Sequence, residues 1–261
     1  MTSPGDRLLA LAALCREAGA AAMVHYDNPE TETKADGSPL TRADLASNRV
    51  LVAGLPGIEA APVLSEESKQ VPHAQRAAWD RFWLVDPIDG TKEFIKRNGE
   101  FTVNVALVDA SGPTLGVVHA PALGVTYLGE VGRGAWVDRG AGPESICAAG
   151  DPTDDLRVVA SRSHRGPELE AFLDALGDYA CVVMGSSLKL CLVAEGRAHL
   201  YPRLGPTMEW DTGAAHAVAK AAGCRVTDLE GRELAYNKAD LLNPFFIVDG
   251  TDSFDWRSAL C

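Results

Sequence analysis

Phe82-Trp83-Leu84-Val85-Asp86-Pro87-Ile88-Asp89-Gly90-Thr91 carries an apolar run straight into a turn that holds two carboxylates. Residues 82–86 predict a buried strand that ends at Asp86, and Pro87 and Gly90 then force the chain to turn. Downstream, Phe101, Val103, Val105 and Leu107 alternate with Thr102, Asn104 and Ala106, a period of two that predicts a strand over 101–108. Short strands follow at about 114–120, 125–129 and 134–137, separated by glycines. Upstream, 5–26 has the pattern of an amphipathic helix. A second helix over 41–54 opens with Thr41-Arg42-Ala43-Asp44, the spacing of a capping box.

Near Asp151-Pro152 the pattern changes. Predicted strands at 156–160, 181–185 and 198–202 alternate with predicted helices at 167–177, 187–195 and 211–222, the last closed by Gly223; strands at 225–228 and 245–249 complete the series. Such alternation indicates an α/β layer. A chain of 261 residues therefore divides into an N-terminal α+β half, 1–150, and a C-terminal α/β half, 151–261.

Composition removes several functional classes. The net charge of −12 argues against binding a nucleic-acid polymer, whose backbone needs a basic surface. No stretch approaches the ~20 apolar residues of a membrane span. The run from Leu8 to Cys15 is preceded by Asp6 and lacks a small-residue cleavage site, so it reads as a helix face rather than an export signal. None of the six cysteines forms a C-x-x-C pair, which speaks against a zinc ribbon or dithiol site and for a reducing cytoplasm. Peripheral membrane association is left open. Neither G-x-x-x-x-G-K nor G-x-G-x-x-G occurs, and the turn after Asp86 lacks the glycine and glutamate of a calcium loop.

The acids fall at element ends. Glu66 and Glu67 follow Pro62-Val63-Leu64, Asp86 ends its strand, Asp89 lies in the turn, and Asp211 stands at a helix start. Each has an ordinary reading: turn residue, helix cap, capping-box partner for Asp44, or solvated loop. Together they look different, because a carboxylate at a buried strand end is costly without a partner. Hard cations such as Mg²⁺ take oxygen ligands and bind through a few carboxylates plus substrate phosphate, which suits Glu66, Asp86, Asp89 and Asp211.

Residues 83–91 resemble the first signature of the inositol monophosphatase superfamily, and Glu209-Trp210-Asp211-Thr212-Gly213-Ala214-Ala215 resembles the second. The continuation from Lys92 to Asn104, with Gly185-Ser186-Ser187-Leu188-Lys189, is similar to its CysQ-type 3'(2'),5'-bisphosphate nucleotidases. Lys92-Glu93 stands where inositol monophosphatases usually carry Thr-Asn. The resemblance spans about Lys34 to Asp249. It implies an α/β (α+β) fold, the layered α-β-α-β-α sandwich of the inositol monophosphatase and sugar phosphatase type. It also implies two or three Mg²⁺ ions held by Glu66, Asp86, Asp89, Asp211 and the carbonyl of Ile88. Thr91, Asp44 and Glu66 take catalytic roles under it. Gly90, Thr91, Ser161, His164, Gly185, Lys189 and Asp211 become substrate contacts.

The implied activity is that of a hydrolase in sulfur assimilation that converts adenosine 3',5'-bisphosphate to AMP and phosphate and is inhibited by lithium. The 3'-phosphoadenylyl sulfate precursor is a further candidate substrate. Metal-assisted hydrolysis would have Thr91 and Asp44 orient a water and take its proton. An inositol-phosphate or sugar-phosphate phosphatase is the alternative within the class, and a non-catalytic metal or nucleotide sensor the alternative outside it. Lys92, Lys96 and Arg97 read either as a solvated helix face or as substrate neighbours, Glu67 has no assigned role, and monomer and homodimer both remain open.

Overall fold

The computed structural model describes residues 3–33, 37, 39–69, 71–160 and 166–260. The first half contains α1 (Asp6–Met23), β1 (Thr31–Thr33), β2 (Pro39–Thr41), α2 (Arg42–Ile58), β3 (Val63–Ser65), α3 (His73–Arg76), β4 (Arg81–Asp89) and α4 (Thr91–Lys96). It continues through β5 (Thr102–Asp109), β6 (Gly112–Ala120), β7 (Val125–Glu130), β8 (Gly134–Asp138) and β9 (Pro143–Ile146). The second half adds β10 (Arg157–Ala160), α5 (Pro167–Leu176), β11 (Ala180–Val183), α6 (Leu188–Ala194), β12 (Leu200–Arg203), α7 (Glu209–Ala221), β13 (Arg225–Asp228) and β14 (Phe246–Asp249). No described helix is long and apolar enough to cross a membrane.

The period-two pattern of β5 explains the first two layers. Val103, Val105 and Leu107 bury against Leu8, Leu11 and Cys15 of α1 and Leu51 and Leu55 of α2. Ala106, one step out of phase, faces the opposite side and packs with α7 residues such as Ala214 and Val218. In α1 the buried Leu8, Leu11, Ala12, Cys15, Ala18 and Ala22 recur at spacings of three and four, a stripe that turns one face to the sheet. Each fully buried leucine or valine contributes about 1.5–3 kcal/mol.

β3 to β9 form one seven-stranded sheet in sequence order, with β3 and β4 parallel and the rest antiparallel. The five-stranded sheet has the order β11-β10-β12-β14-β13. Between the sheets lie α6 and α7, whose Leu190, Cys191, Ala215 and Val218 share a core with Phe82 and Val118 of one sheet and Tyr201 and Val248 of the other. Beyond the second sheet, α5 and a 3₁₀ turn at Trp256–Ala259 cover Val158, Leu200 and Ile247. The layers thus run α-β-α-β-α.

α7 lies unusually close to the first sheet. A Cβ on Gly116 would stand 2.2 Å from the Ala214 carbonyl oxygen, and one on Gly129 would stand 2.5 Å from the Val218 Cα. Only glycine admits that approach. The helix answers with small side chains of its own, at Gly213, Ala214, Ala215, Ala217 and Ala219.

Differences from the sequence expectations are local. α2 continues to Ile58 instead of stopping at 54, because Pro56 lies in its last turn on an exposed face, where the lost backbone donor costs little. β11 ends at Val183 instead of 185, because the chain turns at Ser186, whose φ is 50°. β1, β2, α3 and β9 are three or four residues long, too short to leave a readable period.

Candidate active site

Along the face of β4 turned to α7, the cross-strand pairs change character. Leu84 opposes Ala106, Asp86 opposes Asn104, and after an irregularity Asp89 opposes Thr102. The apolar layer therefore gives way to carboxylates at the strand's C-terminal end. β3 runs parallel beside β4, and the Glu66 amide donates to the Val85 carbonyl at 3.1 Å, so Glu66 follows directly alongside Asp86. Asp211 arrives from the first turn of α7, where its Oδ2 accepts from the Met208 amide at 2.8 Å. Carboxylate oxygens of Glu66, Asp86 and Asp211 lie within 4.8 Å of one another.

The turn after Asp86 is pinned from several sides. Asp86 Oδ1 accepts from the Ile88 amide at 3.0 Å, and Ser47 Oγ on α2 donates to the Pro87 carbonyl at 2.8 Å. Gly90 takes φ 89° as it opens α4, and a Cβ there would meet Ser186 Oγ at 2.1 Å. The capping box forms as the sequence predicts: Asp44 Oδ2 accepts from the Thr41 amide and hydroxyl at 2.8 and 2.6 Å. Its other oxygen, Oδ1, accepts from Thr91 Oγ1 at 3.3 Å. Thr91 Oγ1 also lies 3.4 Å from the Ile88 carbonyl.

Asp89 stands beside the three converging acids. Its Oδ2 accepts from the Ser187 amide at 2.5 Å, and its carbonyl accepts from Ser186 Oγ at 2.9 Å. It shares a cavity of about 130 Å³ with Asp211, Gly90, Gly185, Lys189, Tyr201 and Arg203. Lys189 is buried, donates to the Ser186 carbonyl at 2.6 Å and lies over the Tyr201 ring.

The electrostatics favour a cation. Burial, followed by the charges of Glu66, Asp89, Asp211 and Asp44, holds the Asp86 carboxyl well above its ordinary range. Burial raises Asp89 to about 6, opposed by Lys189 and the Ser187 amide. Asp211 is pushed to about 8 by burial and then by Asp89, against the Met208 amide. Burial lowers Lys189 to about 8, with Asp89 pulling the other way. Carboxylates that resist ionisation through burial and then mutual repulsion are relieved by a divalent ion, and an all-oxygen donor set suits a hard one. The residues present fit such a metal.

Of the residues singled out in the sequence, Glu66, Asp86 and Asp211 come together, Asp44 pairs with Thr91, and Gly90, Asp89, Gly185, Lys189 and Asp211 line one cavity. Ser161 and His164 lie outside the described residues. Lys92, Lys96 and Arg97 are exposed and do not line the cavity. Sequence reasoning missed Ser186, Ser187 and Arg203. The two serines sat inside the quoted stretch 185–189, and Arg203 is the last residue of β12.

Two stacked sheets around a helix pair, with acids gathered at one strand end, define a phosphatase of the metal-dependent kind, and the chain belongs to the inositol monophosphatase family, whose model matches residues 6–245. Within it, the chain is 50% identical over 243 residues to the 3'(2'),5'-bisphosphate nucleotidase CysQ of Shigella flexneri, covering 90% of this chain and 96% of that one. The crystal structure of CysQ from Bacteroides thetaiotaomicron superposes with a TM-score of 0.82 at 43% identity, over 95% of this chain and 99% of that one. An inositol monophosphatase of Thermotoga maritima superposes with a TM-score of 0.77 at 26% identity, over 94% of this chain and 92% of the other.

Proposed function

We propose that the protein removes the 3'-phosphate of adenosine 3',5'-bisphosphate, giving AMP and inorganic phosphate, with Mg²⁺ as its metal. The observation that carries the hydrolase reading is the convergence of Glu66, Asp86 and Asp211 beside the Thr91–Asp44 pair. The nucleotide reading draws on the 50% identity to CysQ and on the cavity next to that centre. Lys189 and Arg203 both line it, and their positive charge suits a substrate with a second phosphate, which inositol 1-phosphate lacks.

Glu66, Asp86, Asp89, Asp211 and the Ile88 carbonyl would hold the metal. Bound Mg²⁺ supplies Lewis-acid charge and makes hydroxide available near neutral pH. The protein's own part is orientation and proton handling. Asp44 Oδ2 is occupied by Thr41, which fixes the carboxylate and leaves Oδ1 directed at the Thr91 hydroxyl. Thr91 therefore orients the attacking water, and Asp44 takes the proton through the Thr91 oxygen. The peptide at Gly90–Thr91 opens α4 and offers backbone donors to the departing phosphate. We assign the reaction to the cytoplasm, where Cys15, Cys191 and Cys224 persist as buried free thiols.

The test is phosphate release at fixed Mg²⁺ from adenosine 3',5'-bisphosphate, 3'-phosphoadenylyl sulfate and inositol 1-phosphate. The bisphosphate is expected to exceed inositol 1-phosphate in kcat/KM by about 100-fold or more. Equal or faster turnover of inositol 1-phosphate would overturn the nucleotide assignment.

A further inference from the structure

Asn104 is 1% exposed and faces the helix pair from β5, directly across from Asp86. Its neighbour two residues toward the strand start, Thr102, opposes Asp89. Asn104 thus lies opposite one acid and two residues along the same strand from the partner of another. Its Oδ1 accepts from Ser187 Oγ at 2.9 Å, and that hydroxyl also lies 2.9 Å from Thr102 Oγ1. The backbone amide of the same Ser187 donates to Asp89 Oδ2 at 2.5 Å. On the adjoining residue, Ser186 Oγ lies 2.9 and 2.7 Å from the Asp89 and Glu100 carbonyl oxygens and shares its one proton between them, which ties the turn to β4.

The other end of the Asn104 side chain makes no such bond. Its Nδ2 is buried with no hydrogen-bond partner among the described residues. A buried donor left unsatisfied destabilises a fold. A leucine of similar size at this place in β5 would remove the open donor and leave the buried Ser187 hydroxyl with Thr102 Oγ1 as its remaining contact. Farther along the same face of β5 the residues are the apolar Ala106 and Val108, so an amide here is better explained by the bond its oxygen makes than by core packing.

The geometry points to Asn104 as a positioning residue for Asp89, acting through Ser187; this rests on the metal-dependent hydrolase reading above. The amide oxygen orients the Ser187 hydroxyl, the anchored Ser187 presents its N–H, and that N–H sets the direction of the Asp89 carboxylate. Asp89 would be one of the residues that hold the metal, and its carboxylate keeps its direction only while the turn is held. Partners of this kind, once removed, typically lower metal affinity by 10- to 100-fold.

The test is a double-mutant cycle with Asn104→Leu, Ser187→Ala and the pair, with Mg²⁺ alone titrated calorimetrically into metal-free protein. Each single variant is expected to weaken Mg²⁺ binding about 10-fold, and the pair by about the same factor, because the two act in one chain. Raising Mg²⁺ should restore kcat. The metal-free Asn104→Leu protein should melt at or above the wild-type temperature, a result that a purely structural residue would not give. Unchanged Mg²⁺ affinity in both single variants overturns the inference, as does a multiplied loss in the pair. A lower melting temperature or failed folding of Asn104→Leu also overturns it. Wild-type protein that takes up no Mg²⁺ would instead sink the function proposed above.

Discussion

At the scale of single residues the proposed roles separate charge, at Glu66, Asp86 and Asp211, from proton handling, at the Thr91–Asp44 pair. Asp86 is one of the most deeply buried acids in the cluster, and burial, followed by its acidic neighbours, pushes its carboxyl upward. With Asp86 as a proposed metal ligand, Asp86→Asn should lower kcat/KM more than about 100-fold, since loss of a direct ligand exceeds loss of a supporting partner. The same variant should raise the melting temperature of metal-free protein while abolishing the rise that Mg²⁺ gives the wild type, which differential scanning calorimetry reads directly. Thr91 behaves differently. It bonds Asp44 rather than standing among the three converging carboxylates. Thr91→Ala is therefore expected to leave Mg²⁺ affinity near the wild-type value and to lower kcat by about 10²–10⁴-fold. A matched loss of affinity and rate would place Thr91 with the ligands instead.

At the scale of elements, the position of α7 decides whether Asp211 reaches the strand ends. The helix lies against Gly116 of β6 and Gly129 of β7 with no room for a Cβ on either. Gly116→Ala would drive a methyl group into the Ala214 carbonyl, and the helix must lift. Overpacking of this kind costs about 1–3 kcal/mol, visible as a lower urea midpoint. Because the lifted helix carries Asp211, Mg²⁺ affinity should fall as well, although Gly116 itself is remote from the acids in the chain. A stability loss with unchanged Mg²⁺ affinity would show that the helix tolerates displacement.

At the scale of the whole molecule, the outer helix layer depends on a neutral histidine. His119 lies on β6 with its ring against Gly19 of α1, and its Nδ1 lies 3.2 Å from the Val125 carbonyl and 3.0 Å from Thr126 Oγ1. Burial, aided by nearby Arg16, lowers its pKa from 6.5 to about 4, against the Val125 contact. The unfolded chain therefore binds a proton more readily than the folded one between these values. Stability from this group is full above pH 6.5 and is lost as pH falls toward 4, by up to about 3 kcal/mol. Urea unfolding at pH 7 and at pH 4.5 should show that loss, and a His119→Gln variant should show a smaller dependence. An identical pH dependence in the variant would remove His119 from the account.

Much of this protein is written in its sequence because it is local. The strand that carries Asp86, the Thr41–Asp44 cap and the helix and strand order follow from periodicity and turn chemistry over a few neighbouring residues, although that strand runs on through an irregularity to Asp89 where the sequence predicts an end at Asp86. The two signature stretches carried the family and most candidate ligands for the same reason. What tertiary structure alone decided is which distant groups meet. Glu66, Asp86 and Asp211 share a point in space only because β3 runs parallel to β4 and α7 is admitted by two sheet glycines. The link from Asn104 through Ser187 to Asp89 joins residues on different layers. No period in the chain encodes such a contact, because its geometry is set by how closely the layers pack.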